Sequence, residues 1–191
     1  MYFIAGPNGS GKSTFAHEFM KEKGLLFLNA DLIAEELDPN REGKNMIFTA
    51  GKLFFQRLNT LIRDRSPFAI ETTLSGRYTT KIIERLKREG FPVKMVYIFV
   101  DTPDLCIERI KIRVRNGGHH VSDDDVLRRY SRSKMNFWET YRGLVDNWGI
   151  YNNSGKSFLP VAIGKGNSYI IIDGEMFESF MEDALGGQEA R

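Results

Sequence analysis

Residues 6 to 14 read Gly-Pro-Asn-Gly-Ser-Gly-Lys-Ser-Thr, a spacing that fits G-x-x-x-x-G-K-[ST]. Gly6, Gly9 and Gly11 let backbone N–H groups turn inward, so a loop of this kind cradles phosphate oxygens, with Pro7, Asn8 and Ser10 completing it. An apolar run precedes the loop and a helical pattern follows it, which brings the positive end of a helix dipole to the same cradle. Lys12 is expected to reach the β- and γ-phosphates, Ser13 to offer its hydroxyl to Mg2+, and Thr14 to face the α-phosphate. The bland alternative is a glycine-rich turn with no function. At glycine's usage of ~7%, a chance match in a chain this long is on the order of one in a hundred. The cofactors implied are ATP or GTP, with Mg2+.

Two acidic residues end predicted strands on the side where open α/β sheets bind ligands. Asp31 follows the run Leu25–Asn29 and precedes a helical pattern of Leu32, Ile33 and Leu37. It suits a general base that accepts a hydroxyl proton, and it equally suits a helix N-cap; the two roles are compatible. Glu71 closes the run Phe68–Glu71, and its apolar neighbours favour a carboxylate aimed into a crevice, holding a Mg2+-bound water or a substrate hydroxyl. Thr73 and Ser75 follow with hydroxyls able to bind substrate.

A third group is basic. Arg109, Lys111, Arg113, Arg115, Arg128, Arg129, Arg132 and Lys134 fall within one stretch, divided by Gly117-Gly-His-His-Val121. Arg109 and Arg113 stand four apart on one helix face. The Gly-Gly bend predicts a second basic helix folded back over the phosphates, an arginine-rich lid over about residues 113–130. Arg113 and Arg128 are the expected catalytic pair, neutralising charge that develops during phosphoryl transfer. The plainer reading is a solvated helix paired with Glu108, Asp123, Asp124 and Asp125. His119 and His120 have no cysteine partners and no H-E-x-x-H spacing, so a polar hinge is expected there rather than zinc.

Such groups need a scaffold, and the pattern supplies an α/β one. Strands are predicted at Tyr2–Ala5, Leu25–Asn29, Phe68–Glu71, Val93–Val100 and Tyr169–Ile172, a mainly parallel five-stranded sheet. Helical spacing covers Lys12–Lys23, Met46–Arg63, Thr79–Arg88, Pro103–Arg115 and Asp123–Leu144. Residues Asn147 to Asn167, rich in Gly, Asn and Ser around two apolar pieces, read as a hairpin or loop. One domain over residues 1–185 is expected, in a three-layer sandwich, with Gly186–Arg191 as a flexible tail.

Composition limits the classes. With 191 residues, 41% hydrophobic and 27% charged, the chain fits an ordinary globular domain. A net charge of +2 argues against broad non-specific nucleic-acid binding. The single cysteine, Cys106, cannot form an internal disulfide and lies in an apolar helical pattern, the setting of a buried thiol in a reducing cytoplasm. No apolar run reaches membrane-spanning length, so no membrane association is expected.

Together the motifs resemble the zeta-toxin and UDP-N-acetylglucosamine kinase family of P-loop kinases. The residues carrying the likeness are Gly6 to Thr14, Asn29-Ala-Asp-Leu-Ile-Ala34, Glu71-Thr-Thr73, Gly117-Gly-His-His-Val121 and Arg128-Arg-Tyr130, in that order over roughly residues 1 to 135. The resemblance implies an ATP- or GTP-using kinase that phosphorylates a hydroxyl of a UDP-amino sugar. It implies Asp31 as base, Lys12 as phosphate clamp, lid arginines at the transferred group, and a neutralising antitoxin partner.

Three other classes fit parts of the pattern. A nucleic-acid 5′-hydroxyl kinase would use the same cradle and base, with Phe137, Trp138 and Tyr141 as stacking platforms; those three also fit one apolar helix face. An ABC-type ATPase is hinted at by Leu74-Ser-Gly76 and the distant Gly186-Gly-Gln188, which do not form one signature. A non-catalytic nucleotide-binding module would need neither Asp31 nor Glu71.

Overall fold

The computed structural model describes residues 1–38, 46–76, 78–118 and 120–186. Its centre is β1 (Tyr2–Ala5), where Phe3, Ile4 and Ala5 are wholly buried, as expected of a parallel strand covered on both faces. On one side β1 pairs in parallel with β3 (Phe68–Thr72), which puts Ile4 beside Glu71. On the other it pairs in parallel with β4 (Lys94–Phe99), and the parallel set ends outward at β2 (Leu26–Leu28) and β5 (Asn147–Asn152). Two antiparallel strands, β6 (Leu159–Lys165) and β7 (Ser168–Ile171), extend the β5 edge. Among the described residues the result is a seven-stranded mixed sheet in the order β2-β3-β1-β4-β5-β6-β7.

Helices complete the layers. α1 (Lys12–Lys23) packs Ala16 and Met20 on Ile4, Ala69 and Ile98 on one face of the sheet. The other core gathers α3 (Met46–Arg63), α4 (Tyr78–Arg88) and α8 (Gly174–Gly186), with α2 (Ala30–Leu37) packed beside α3. α3 contributes Ala50, Phe54, Leu58 and Ile62, a helical stripe buried in the same core as Phe3, Phe68, Ile70, Tyr97 and Phe99. Phe3, Phe68, Phe99, Phe137 and Phe180 are fully buried, and truncating any one to alanine costs on the order of 3–5 kcal/mol. No helix among the described residues is long and apolar enough to cross a membrane.

The basic stretch becomes α5 (Pro103–Arg115) and α6 (Asp123–Asn136), packed through Cys106, Ile110, Val121, Val126 and Tyr130. Thr102 caps α5 and Ser122 caps α6, each side-chain oxygen accepting a backbone N–H of its first turn. The predicted helix Asp123–Leu144 is interrupted by a π-helical turn at Phe137–Tyr141 and closes with α7 (Arg142–Leu144). In that turn Phe137, Trp138 and Tyr141 are buried, Phe137 and Trp138 against Trp148 and Phe180, so they serve the core and are not open stacking platforms.

The five-stranded expectation is corrected in two places. The fifth parallel strand is Asn147–Asn152, the first arm of the hairpin expected between Asn147 and Asn167, with β6 as its antiparallel second arm; its parallel pairing with β4 was not expected, because its asparagines and the interior Gly149 break the strand pattern. The apolar run expected as the fifth strand forms β7 instead, antiparallel and exposed along its whole length. An apolar run by itself does not distinguish a buried strand from an edge. His119 and residues 187–191 of the expected tail lie outside the described residues, while Gly186 ends α8.

Candidate functional site

The loop between β1 and α1 closes on itself. Ser10 N–H donates to Pro7 O at 3.3 Å and Lys12 Nζ donates to Pro7 O at 2.7 Å, while Gly6 N–H ties the loop to Thr72 O on β3 at 3.2 Å. Gly9 sits at φ +81°, and a Cβ there would lie 2.5 Å from the Cys106 carbonyl of α5, so no side chain fits. Gly11, at φ +92°, is the left-handed residue from which α1 starts. Among the described residues the Ser10 hydroxyl, fully buried, has no hydrogen-bond partner. An orphaned donor inside a glycine cradle at a helix N-terminus is the environment a phosphate group satisfies.

Glu71 organises the floor of the site. Its Oε2 accepts from Ser13 Oγ at 2.9 Å and from Asn29 Nδ2 at 2.9 Å, and its Oε1 lies 3.9 Å from Lys12 Nζ. The two charged side chains are almost wholly enclosed, at 12% and 5% exposure. Burial pulls the Lys12 pKa down from the ordinary lysine value, and the nearby carboxylates of Glu71 and Asp31 oppose that shift. The positive charge of Arg113 adds to it, so both Asp31 and Arg113 lie within electrostatic reach of the ammonium.

Asn29 does two jobs. Its Nδ2 serves Glu71, while its Oδ1 accepts from the N–H groups of Asp31 and Leu32 at 2.7 and 3.3 Å, capping α2. Asn29 is therefore the N-cap, a role the sequence also allowed for Asp31. Asp31 stands in the first turn with its side chain exposed, beside the helix's positive end. Thr73 and Ser75 bond each other through their hydroxyls at 2.8 Å just beyond Glu71.

The arginines divide. Arg129 on α6 reaches across to the phosphate loop, its Nη1 3.4 Å from Asn8 Oδ1, and its Nη2 pairs with Asp125 at 3.1 Å. Arg128 also pairs with Asp125 and is 55% exposed. Arg109 donates to Ser154 O at 3.3 Å. Cys106 of α5 is buried, with its carbonyl facing Gly9 of the loop, and burial pushes its thiol up to about 11. His120 is exposed.

Several contributors lay outside the sequence reading: Asn29's side-chain bonds, Arg129's approach to Asn8, and Asn153 of the β5 end, whose Nδ2 donates to Ser10 O at 2.8 Å. Asn29 had a signal, since Asn directly before a helical pattern is a cap candidate. Asn153 had none, because nothing local ties it to a loop 143 residues away.

Among the described residues no three His, Cys, Asp or Glu converge on a point that could hold a metal ion. Ser13 Oγ and the Glu71 carboxylate nonetheless form an oxygen pair at the mouth of the loop. That suits Mg2+, which takes one or two protein oxygens and leaves the rest of its shell to waters and phosphates.

Comparison with known proteins bears on the fold and the family. An uncharacterized protein of Haemophilus influenzae is 33% identical over 128 residues, covering 67% of this chain and 90% of that protein. Among solved structures, the AvrRxo1-ORF1:-ORF2 complex with ATP superposes with a TM-score of 0.73 at 14% identity, over 96% of this chain and 64% of that one. The chain thus spans less than two thirds of that relative's length. The PezAT chromosomal toxin-antitoxin system of Streptococcus pneumoniae gives a TM-score of 0.59 at 16% identity, over 100% of this chain and 88% of that one. At such identities the likeness is one of fold, a P-loop kinase-like α/β fold. The family model AAA_33, described as an AAA domain, matches residues 1–135, which hold the phosphate loop, Asp31, Glu71 and both arginine helices up to Met135, and the chain belongs to that family.

Proposed function

We propose that this protein is a Mg-ATP-dependent kinase that phosphorylates a hydroxyl of a small acceptor, a UDP-amino sugar such as UDP-N-acetylglucosamine. The observation carrying the reading is the bonded set Lys12, Ser13, Asn29 and Glu71 at the phosphate loop, with Asp31 exposed in the first turn of the helix that Asn29 caps. A binding module needs the loop alone; a transferase needs a carboxylate free to take a proton beside it. The UDP-sugar acceptor rests on the sequence resemblance, together with a fold shared with a chromosomal toxin-antitoxin system.

In this reading the loop N–H groups and Lys12 hold the β- and γ-phosphates, and Ser13 with Glu71 would hold Mg2+. The metal, when bound, neutralises charge on the phosphate oxygens. Asp31 accepts the proton of the acceptor hydroxyl as that oxygen attacks phosphorus and the bond to the nucleoside diphosphate breaks. Arg113, with Arg128 or Arg129, offsets charge on the transferred group, while Thr73 orients the acceptor. An antitoxin-like protein partner belongs to the same proposal, supported by two fold neighbours being described with a second protein. A cytoplasmic setting, where ATP is available, completes it.

The test is to incubate the protein with Mg-ATP and UDP-sugars, nucleosides or 5′-hydroxyl oligonucleotides in parallel, and to weigh the products. A gain of one phosphoryl group on a UDP-amino sugar is the expected outcome; phosphate on oligonucleotides alone would sink the sugar reading.

A further inference from the structure

The ends of β4 and β5 are laced together by side chains that no motif includes. Asn152 Nδ2 donates to Asp101 Oδ1 at 2.5 Å, Asp101 N–H donates to Ser154 Oγ at 2.9 Å, and Ser154 N–H donates to Asn152 Oδ1 at 2.8 Å. Arg109 of α5 binds the Ser154 carbonyl. Asn153 stands inside this lacing, its own N–H bonded to Phe99 O at 2.8 Å, and its side chain crosses to the phosphate loop to donate to Ser10 O at 2.8 Å. Only the NH2 end of an amide can serve a carbonyl, so the orientation of the Asn153 side chain is determined.

We propose that Asn153 is a positioning residue for the nucleotide: by holding the Ser10 carbonyl on its own side, it aims the Gly11 N–H at the phosphates. This rests on the kinase reading above. A trans peptide is planar, and its C=O and N–H point in opposite directions. Anchoring the Ser10 oxygen outward therefore directs the next N–H the other way. Gly11 cannot provide this orientation alone, because glycine tolerates φ of either sign and lets the neighbouring peptide turn over. A turned peptide presents a carbonyl oxygen, not a donor, to an anion. The fit is mutual: a Cβ on Gly11 would fall 2.2 Å from Asn153 Nδ2, so the amide occupies the space that the missing side chain leaves.

The experiment measures Mg-ADP affinity of the wild-type protein, Asn153→Asp and Asn153→Ala by calorimetry, from pH 8 down to pH 5, with a melting curve for each. Asn153→Asp replaces the donor by a carboxylate facing a carbonyl, and should weaken binding about tenfold or more at pH 8. Asn153→Ala should weaken it less. As pH falls, the introduced carboxyl takes up a proton and regains an O–H donor, so the affinity of Asn153→Asp relative to wild type should recover while that of Asn153→Ala stays flat. Unchanged affinity in both variants at pH 8 overturns the proposal. So does equal weakening in both with no recovery at low pH, the mark of packing alone. If Asn153→Asp does not fold, Asn153→Ala decides: wild-type affinity at pH 8 refutes the role. A protein that binds Mg-ADP but phosphorylates no acceptor overturns the kinase reading and leaves this comparison standing.

Discussion

Ser13 Oγ donates to Glu71 Oε2 over 2.9 Å, joining the first turn of α1 to the end of β3 across 58 positions of sequence. The same oxygen serves Asn29, so one carboxylate sets the geometry of three elements. Glu71→Gln keeps the shape and removes the charge. The expected outcome is a Mg2+ half-saturation for phosphoryl transfer raised by about 10- to 100-fold, with the affinity for nucleotide in EDTA little changed. Rate measurements over a Mg2+ titration check it.

Asp31 is exposed, and its helix is capped by Asn29, so Asp31→Asn should leave the fold intact. Loss of a general base lowers kcat by about 10²- to 10⁴-fold while ATP binding persists. Lys12→Ala, by contrast, should abolish both. Turnover close to wild type in Asp31→Asn would remove it as the base.

The arginines give an ordered prediction. Arg128 is bound to Asp125 in solvent, where water screens the pair, whereas Arg129 meets the phosphate loop at Asn8 and Arg113 lies within electrostatic reach of Lys12. Arg113→Ala and Arg129→Ala should each cut kcat at least about tenfold more than Arg128→Ala, with a smaller change in ATP affinity. Equal losses in kcat and affinity would make these residues simple binding groups.

Burial of Lys12 carries a pH signature. A lowered pKa means that the ammonium loses its proton earlier than an ordinary lysine as pH rises. Phosphate affinity should therefore decline with rising pH, beginning below the lysine reference of about 10.4. Isotherms between pH 7 and pH 10 check the direction; affinity that is constant or rises would contradict it.

A second buried lysine tests the support of α6. Lys134 is fully enclosed, bound to Asp183 of α8 and to Tyr130 Oη at 2.8 Å, and Tyr130 Oη in turn donates to Val100 O at 2.7 Å. Asp183→Asn strands the buried ammonium and should cost about 3 kcal/mol, whereas Lys134→Met leaves a carboxylate that solvent can reach and should cost about 1 kcal/mol. Burial holds the Lys134 pKa below the unfolded value despite Asp183. Between those two pKa values the unfolded chain binds more protons, so the destabilisation is fully present below the folded pKa and is relieved as pH rises through the window. Denaturant melts of Asp183→Asn at pH 7 and pH 10 should show it less unstable at the higher pH.

The glycine loop and the placement of Glu71 beside it were legible because each is local: a glycine spacing, and an acid at the end of an apolar run. The core stripe of α3 was legible for the same reason, through its period. What escaped the sequence is long-range. The β5–β6 hairpin was legible in its two apolar pieces, but the parallel pairing of β5 with β4 was not, hidden behind Asn147, Gly149 and Asn152. Arg129 and Arg128 are adjacent in sequence, and only the packing of α5 on α6 through Ile110 and Val126 decides which one meets Asn8. The edge character of β7 depends on what is absent beyond it, which no window of residues records.

Leu74 follows Glu71-Thr-Thr with φ +54°, a left-handed conformation that costs a non-glycine residue roughly 1–2 kcal/mol, and its side chain is 1% exposed. Asn136 Nδ2 grips its carbonyl at 2.6 Å and Tyr141 Oη grips that of Gly76 at 2.8 Å. The segment after Glu71 is thus already ordered by the chain end of α6 and the π-helical turn. Little conformational entropy is left for an acceptor to remove there. Acceptor binding at this segment should show a small entropic penalty in calorimetry, and loosening the grip with Tyr141→Phe should raise that penalty before it lowers the melting temperature.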